Sequence, residues 1–240
     1  MSEGSARQET CIFPFDDFGR TVADGLGEVS SDGRAWLLYS ETVNAIVGVD
    51  GDDAYAYLDP DSPYLTAQSY WYVTPESGDP WLESEFTFTI PFRVLLSDDP
   101  DDNTTFRVGI SCGGGAWVRW AVRISNTGGV SGGRYYVQDL GHGPGYGAYA
   151  EKADWEEGVY YVLEGYANNT GGAGVKVYRM GDDPDSVDYE EFAYTGGDTM
   201  GIDSSCTWRW DWTELTPGGG LWADYLCFEG LGNIGTGYGG

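Results

Sequence analysis

Strict alternation of apolar and polar residues is the feature that most limits what this chain can fold into. Between Glu85 and Leu95, Phe86, Phe88, Ile90, Phe92 and Val94 fall on one side of an extended strand, and Glu85, Thr87, Thr89 and Arg93 on the other. Phe106, Val108 and Ile110 alternate with Arg107, and Val118, Trp120, Val122 and Ile124 alternate with Trp117, Arg119 and Arg123. A period of two makes strands with one buried and one mixed face, so these three runs are expected to form an antiparallel meander. Pro91 lacks an amide hydrogen and predicts an edge position or a bulge for its strand.

Further strands are expected at 35–40, 43–48, 53–58, 66–73, 134–138, 159–166, 174–180, 206–212 and 221–228. In the 206–212 run, Cys206, Trp208, Trp210 and Trp212 alternate with Thr207, Arg209 and Asp211. Turn clusters such as Asp59-Pro60-Asp61, Asp98-Asp99-Pro100-Asp101-Asp102 and Asp182-Asp183-Pro184-Asp185 separate the runs. Ten Trp, eighteen Tyr and nine Phe, with 38 Gly, favour strands and tight turns over helices. Strands at this spacing predict an all-β chain of two packed antiparallel sheets or a barrel. No repeat or linker divides the 240 residues. The expected organisation is a flexible polar lead over 1–10, one domain over 11–229 and a flexible Gly-rich tail over 230–240.

The net charge of −27 comes from 39 acidic against 12 basic residues. General nucleic-acid binding needs a basic surface that releases counterions, and this chain has the opposite sign. The same argument disfavours an anionic membrane surface, and no apolar run is long enough to span a bilayer. Only Lys152 and Lys176 are lysines; a salt-rich habitat and a GC-rich genome both account for that. Met1 to Thr10 is polar and lacks the apolar centre of an export signal, so folding in a cytoplasm is expected. The four cysteines, Cys11, Cys112, Cys206 and Cys227, show no C-x-x-C spacing and read as small buried apolar residues. Cys11 and Cys227 would face each other if the terminal strands pair, and the sequence leaves their bonding open.

The segment Phe15-Asp16-Asp17-Phe18-Gly19-Arg20-Thr21-Val22-Ala23-Asp24-Gly25-Leu26-Gly27, followed by Asp32-Gly33-Arg34-Ala35-Trp36, resembles the opening of concanavalin A-like (laminin G-like) jelly-roll domains. Such domains occur in phage minor tail and other virion proteins. Leu26 stands where the pattern has Trp. The run Leu221-Trp222-Ala223-Asp224-Tyr225-Leu226-Cys227-Phe228 is similar to the family's closing strand. The resemblance implies a two-sheet sandwich with neighbouring first and last strands. It also implies a virion or cell-surface setting where the domain binds glycans or neighbouring proteins. A phage protein needs no export signal, which agrees with the polar start. The resemblance further implies a structural calcium near the terminal strands, with Asp16, Asp17 and Asp224 as its ligands.

Signals for catalysis are weak. Glu83 and Glu85 share one face, about 7 Å apart by strand rise, but lack the third acid of the E-x-D-x-E patterns found on this fold. Glu156 and Glu157 are adjacent and point opposite ways in a strand. The single histidine, His142, sits in Gly141-His142-Gly143-Pro144-Gly145 with no G-x-S-x-G serine elsewhere, so a triad is not expected. Gly230 to Gly235 matches G-x-G-x-x-G, yet no helix follows to bind a pyrophosphate. The sequons at Asn103 and Asn168 are expected to be idle without export. The feature that stands out is a local reversal of charge. Arg93, Arg107, Arg119, Arg123 and Arg134 fall between residues 93 and 134, and Arg93, Arg107, Arg119 and Arg123 share the polar face of the expected meander with Trp117. An aromatic plate beside guanidinium forks suits a sugar or a carboxylate-bearing partner; pairing of these arginines with Glu85 or overlying acids is the competing account. The sequence therefore reads as a non-enzymatic virion protein, a minor tail or surface component. Its expected partners are other virion proteins, copies of itself and cell-surface glycans, with Trp117, Arg107, Arg119 and Arg123 as the ligand-binding face. A stand-alone carbohydrate-binding module or lectin is the alternative, and a glycoside hydrolase the third.

Overall fold

The computed structural model describes residues 12–23, 25–28, 33–42, 45–62, 67–74, 85–95, 103–111, 117–125, 132–139, 146–152, 155–168, 172–183, 190–193, 207–215 and 218–229. These residues contain strands and turns and no helix. In chain order the strands are β1 (Ile12–Asp16), β2 (Thr21–Val22), β3 (Leu37–Thr42), β4 (Ala45–Asp50), β5 (Ala54–Leu58), β6 (Ala67–Val73), β7 (Glu85–Leu95), β8 (Asn103–Ser111) and β9 (Trp117–Ser125). They continue as β10 (Gly132–Asp139), β11 (Tyr146–Lys152), β12 (Tyr161–Asn168), β13 (Gly172–Arg179), β14 (Glu190–Ala193), β15 (Thr207–Leu215), β16 (Gly220–Ala223) and β17 (Leu226–Glu229). A ten-stranded sheet runs β14-β13-β12-β7-β16-β5-β4-β2, with β17 also beside β7 and β1 beside β17. A seven-stranded sheet runs β11-β10-β9-β8-β15-β6-β3. The fold is an antiparallel two-sheet sandwich, and its first and last strands are neighbours, with Asp16 across from Leu226.

One expectation is corrected. The run from Glu85 to Leu95 does not join the meander of β8 and β9; β7 lies between β12 and β16 in the opposite sheet. Alternation tells which side of a strand is apolar, but two sheets that share one core offer that side the same company. Arg93 therefore stands on the outer face of the ten-stranded sheet, away from Arg107, Arg119 and Arg123. Pro91 sits in an interior strand. Its carbonyl accepts a hydrogen bond from the Asp224 amide at 3.1 Å, so its ring nitrogen faces the same side, where the paired chain breaks between β16 and β17. The missing donor falls at that break, which is why the single closing strand expected over 221–228 is split in two.

Phe88, Ile90, Phe92, Leu163, Val175 and Leu221 of the ten-stranded sheet meet Trp71, Val73, Trp120, Val122 and Ile124 of the seven-stranded sheet in the core. Phe88 and Trp120 join the layers edge to face, with ring centroids 4.9 Å apart. Gly165 makes room for them: a β-carbon there would lie 2.3 Å from the Phe88 ring. The Trp120 indole donates to the Gly174 carbonyl at 3.0 Å, which satisfies its buried N–H. Cys227 is 2% exposed but is disulfide-bonded rather than a free apolar thiol. Cys11, like the expected segments 1–10 and 230–240, lies outside the described residues.

Candidate functional site

The ladders of the seven-stranded sheet assemble a face that the alternation pattern anticipated. Trp120, Val122 and Ile124 of β9 are buried in the core. The opposite set forms cross-strand rows. Arg107 is across from Ala121 and Asp211. Arg119 is across from Gly109 and Gln138, and Gly109 from Arg209, which in turn is across from Tyr72. Arg123 is across from Thr105 and Arg134. Trp117 closes the set at one end, across from Ser111. The Arg123 side chain is exposed; the side chains of Trp117, Arg107 and Arg119 lie outside the described residues. Ala121, at the middle of this face, is fully buried. Sequence reasoning missed Arg209, Asp211 and Tyr72 as members. Alternation assigned Arg209 and Asp211 a side, and only the pairing of β15 with β8 reveals their company.

Asp16, Asp17 and Asp224 are not gathered into one ligand set. Among the described residues no three acidic, His or Cys side chains are placed to hold a metal ion. Asp16 is fully buried, and each of its oxygens is already engaged. Oδ1 accepts from the Phe18 amide at 3.1 Å and Arg20 Nη1 at 2.6 Å. Oδ2 accepts from Arg20 Nη2 at 3.0 Å and Trp36 Nε1 at 2.7 Å. A carboxylate offers about four lone-pair sites, and these four donors engage them. Arg20 also donates to the Leu26 carbonyl from Nε at 2.9 Å and again from Nη2. The Trp36 amide donates to the Gly27 carbonyl at 2.8 Å. Gly25 and Gly27 take φ of 93° and 72°, and a β-carbon at Gly25 would lie 2.7 Å from Trp71. The most recognisable motif of the sequence is thus a structural clasp. Asp17 is exposed and accepts from the Gly19 amide at 3.0 Å. Asp224 lies in the break between β16 and β17, where its charge acts on Tyr160.

A second polar group occupies the outer face of the ten-stranded sheet. Asp53 is 6% exposed and accepts the Tyr160 hydroxyl at 2.6 Å from either oxygen. Arg93 Nη2 lies 3.4 Å from Asp53 Oδ2. The Arg93 guanidinium sits over two rings, 5.0 Å from the centroid of Trp222 and 5.4 Å from that of Tyr160. Burial pushes the Asp53 carboxyl above its ordinary value, against the Tyr160 hydrogen bond and the Arg93 charge. Burial and then the Asp53 hydrogen bond hold the Tyr160 phenol well above its usual range. Arg93 was legible as a member of the arginine run, but its partners come from three distant segments and no local signal names them.

The structure describes the catalytic candidates only in part. Glu85 opens β7 across from Asn168, and its side chain, like Glu83 and His142, lies outside the described residues. Glu156 and Glu157 are exposed, and Glu156 pairs with Arg179 at 2.8 Å.

No family model matches the chain, and no curated protein does. Solved structures share its architecture. The CBM2 module of the evolved Dit of Lactobacillus casei BL23 phage J-1 is 12% identical, with 92% of this chain and 95% of that one covered at a TM-score of 0.54. An immunostimulatory antigen and pseudo β-1,3-glucanase of Mycobacterium tuberculosis is 11% identical, with 92% and 99% covered at 0.54. A glycosyl hydrolase family 16 protein of Mycobacterium smegmatis is 12% identical, with 91% and 100% covered at 0.51. At these identities the likeness establishes the fold, a concanavalin-like jelly roll, and leaves chemistry to the residues.

Proposed function

We propose that this protein is a non-catalytic virion component that attaches by contact, with the outer face of the seven-stranded sheet binding cell-surface glycans and neighbouring virion proteins. The observation that carries the reading is the register of β8, β9, β10 and β15, which sets Arg107, Arg119, Arg123, Arg134 and Arg209 on one face beside Trp117 and Tyr72. Five arginines against Asp211 and Glu151 on the same rows leave this face locally basic in a chain of net charge −27, which suits partner carboxylates, while guanidinium forks can donate to sugar hydroxyls. The likeness to a phage carbohydrate-binding module and to a pseudo-glucanase supports the same reading, since both are named for binding or for lost hydrolysis.

The test is a glycan array probed with the wild type and with Arg107→Ala/Arg119→Ala/Arg123→Ala, paired with a reducing-end assay on every glycan that binds. Retention of intact glycan by the wild type, and a loss of about 10-fold or more in the triple variant, are expected. Product release that disappears in Glu83→Gln or Glu85→Gln would replace this reading with a glycoside hydrolase.

A further inference from the structure

The outer face of the ten-stranded sheet carries a strip of rings laid down on glycines. Gly48, Tyr55, Trp222 and Arg93 form one cross-strand row, and Ile46, Tyr57, Gly220 and Leu95 the next. The inward neighbours Ala54, Ala56, Leu58, Leu221 and Ala223 are fully buried, so the ring set points away from the core. A β-carbon at Gly48 would lie 2.5 Å from the Tyr55 hydroxyl, and one at Gly220 would lie 2.7 Å from Trp222 Cη2. Both rings therefore lean over positions that no side chain fills. Tyr55 and Tyr57 lie 6.2 Å apart at 36° and extend the strip. Tyr55, Tyr57, Trp222, Arg93 and Tyr160 are all part-exposed.

At the end of the strip stands Arg93, stacked against Trp222 and Tyr160 and aimed by Asp53, which Tyr160 in turn holds. One contact of 3.4 Å occupies Nη2; Nε is buried, so the donors left for a ligand are the remaining Nη hydrogens. A guanidinium has five N–H donors, so donors remain for an oxygen from outside. The pair of Arg93 and Asp53 is neutral in sum. A ring that lies down offers its π-face to the C–H face of a pyranose, and a fixed guanidinium beside it donates to the sugar hydroxyls. An acidic sugar would meet the field of a −27 chain without a net positive group to offset it.

We propose that Trp222, Tyr55, Tyr57 and Arg93 form a saccharide site for a neutral oligosaccharide, separate from the arginine face of the other sheet. The two sites would lie on opposite outer surfaces of the sandwich, and this one does not depend on the reading above.

The test is a titration of the ¹⁵N-labelled full chain with cellotetraose, laminaritetraose and β-1,4-galactotetraose, with tetragalacturonate as the acidic comparison. The Trp222 indole signal is assigned by its disappearance in Trp222→Phe. Saturable movement of that signal with at least one neutral sugar, with a Kd of about 1 mM or tighter, is expected. Arg93→Gln should weaken it by about 10-fold, tetragalacturonate should bind more weakly, and Arg123→Ala should leave it unchanged. A Trp222 signal that none of the neutral sugars moves overturns the proposal. So does movement confined to the seven-stranded face, a result that would leave the arginine-face reading standing. With the Trp222 signal assigned, the wild-type titration decides the matter whether or not Arg93→Gln or Arg123→Ala folds.

Discussion

The Trp36 indole donates to the fully buried Asp16 carboxylate at 2.7 Å, across twenty residues of chain. With Arg20 on the other side of the same carboxylate, this bond ties the end of β1 to the segment before β3. Removing one partner of a buried ion pair costs about 3–5 kcal/mol, because the other is left uncompensated. Asp16→Ala is expected to lose that much in urea unfolding. Trp36→Phe keeps the ring and loses the donor, and should cost about 1–3 kcal/mol. The double variant should cost less than the sum, since both act on one network. An additive result would mean that the two residues contribute separately.

Asp53 predicts a pH dependence with a definite sign. Its carboxyl is raised from 3.8 by burial, so the folded protein holds that proton more tightly than the unfolded chain. Stability from this group is complete below the ordinary carboxylate value and falls as pH rises through the folded one. Urea midpoints measured across the acid range should show the wild type losing ground to Asp53→Asn as pH increases through that window. A constant difference would show that Asp53 titrates normally. Tyr160 behaves alike at alkaline pH. Its phenol is raised above 10.0, so the unfolded chain ionises first and stability is lost as pH rises past that value. Tyr160→Phe should remove one late-ionising tyrosine from the 295 nm titration and cost about 1–2 kcal/mol at neutral pH.

Gly165 tests the packing between the sheets. An alanine there would place a β-carbon 2.3 Å from Phe88 and 2.9 Å from Trp120. Those rings are core residues with no free end to swing away. Gly165→Ala is expected to lose at least about 1–3 kcal/mol, read from thermal or urea unfolding. A neutral result would mean that the layers do not meet at this point.

The sandwich itself was legible because its strongest runs alternate cleanly. Trp120, Val122 and Ile124 are buried as the pattern of β9 required, and β1 lies beside β17 as the resemblance implied. What the sequence could not carry was partnership. The pattern around Arg93 has the same period as that around Arg107, and nothing local says that the chain changes sheet between them. The strand β11, Tyr146–Lys152, went unseen because small residues and tyrosines alternate there without a branched apolar run. The Asp53, Arg93, Tyr160 and Trp222 group was hidden for the same reason as Arg209 beside Arg119. Each member sits on a separate strand or turn, and only the ladders bring them together. Asp16 was conspicuous in the sequence, but its Arg20 and Trp36 partners were not, since an acidic residue in a motif does not reveal which groups will meet it.

Cys227 is disulfide-bonded and lies in β17, which pairs with β1 and β7. A bridge of this kind contributes about 2–4 kcal/mol, mostly by restricting the unfolded chain. Reduction with a phosphine should lower the melting temperature without changing the far-ultraviolet circular dichroism of the native state at 25 °C. An unchanged melting temperature would show that the cysteine is free.

A crystal structure soaked with the glycan that binds tightest on the array puts the central claim at risk most directly. Sugar density spread over the outer face of the seven-stranded sheet, stacked on Trp117 or Tyr72 and bonded to Arg119 or Arg123, with the glycosidic linkages intact, is the result predicted here. Density in an enclosed cleft, with two carboxylates poised on either side of a broken linkage, would contradict it.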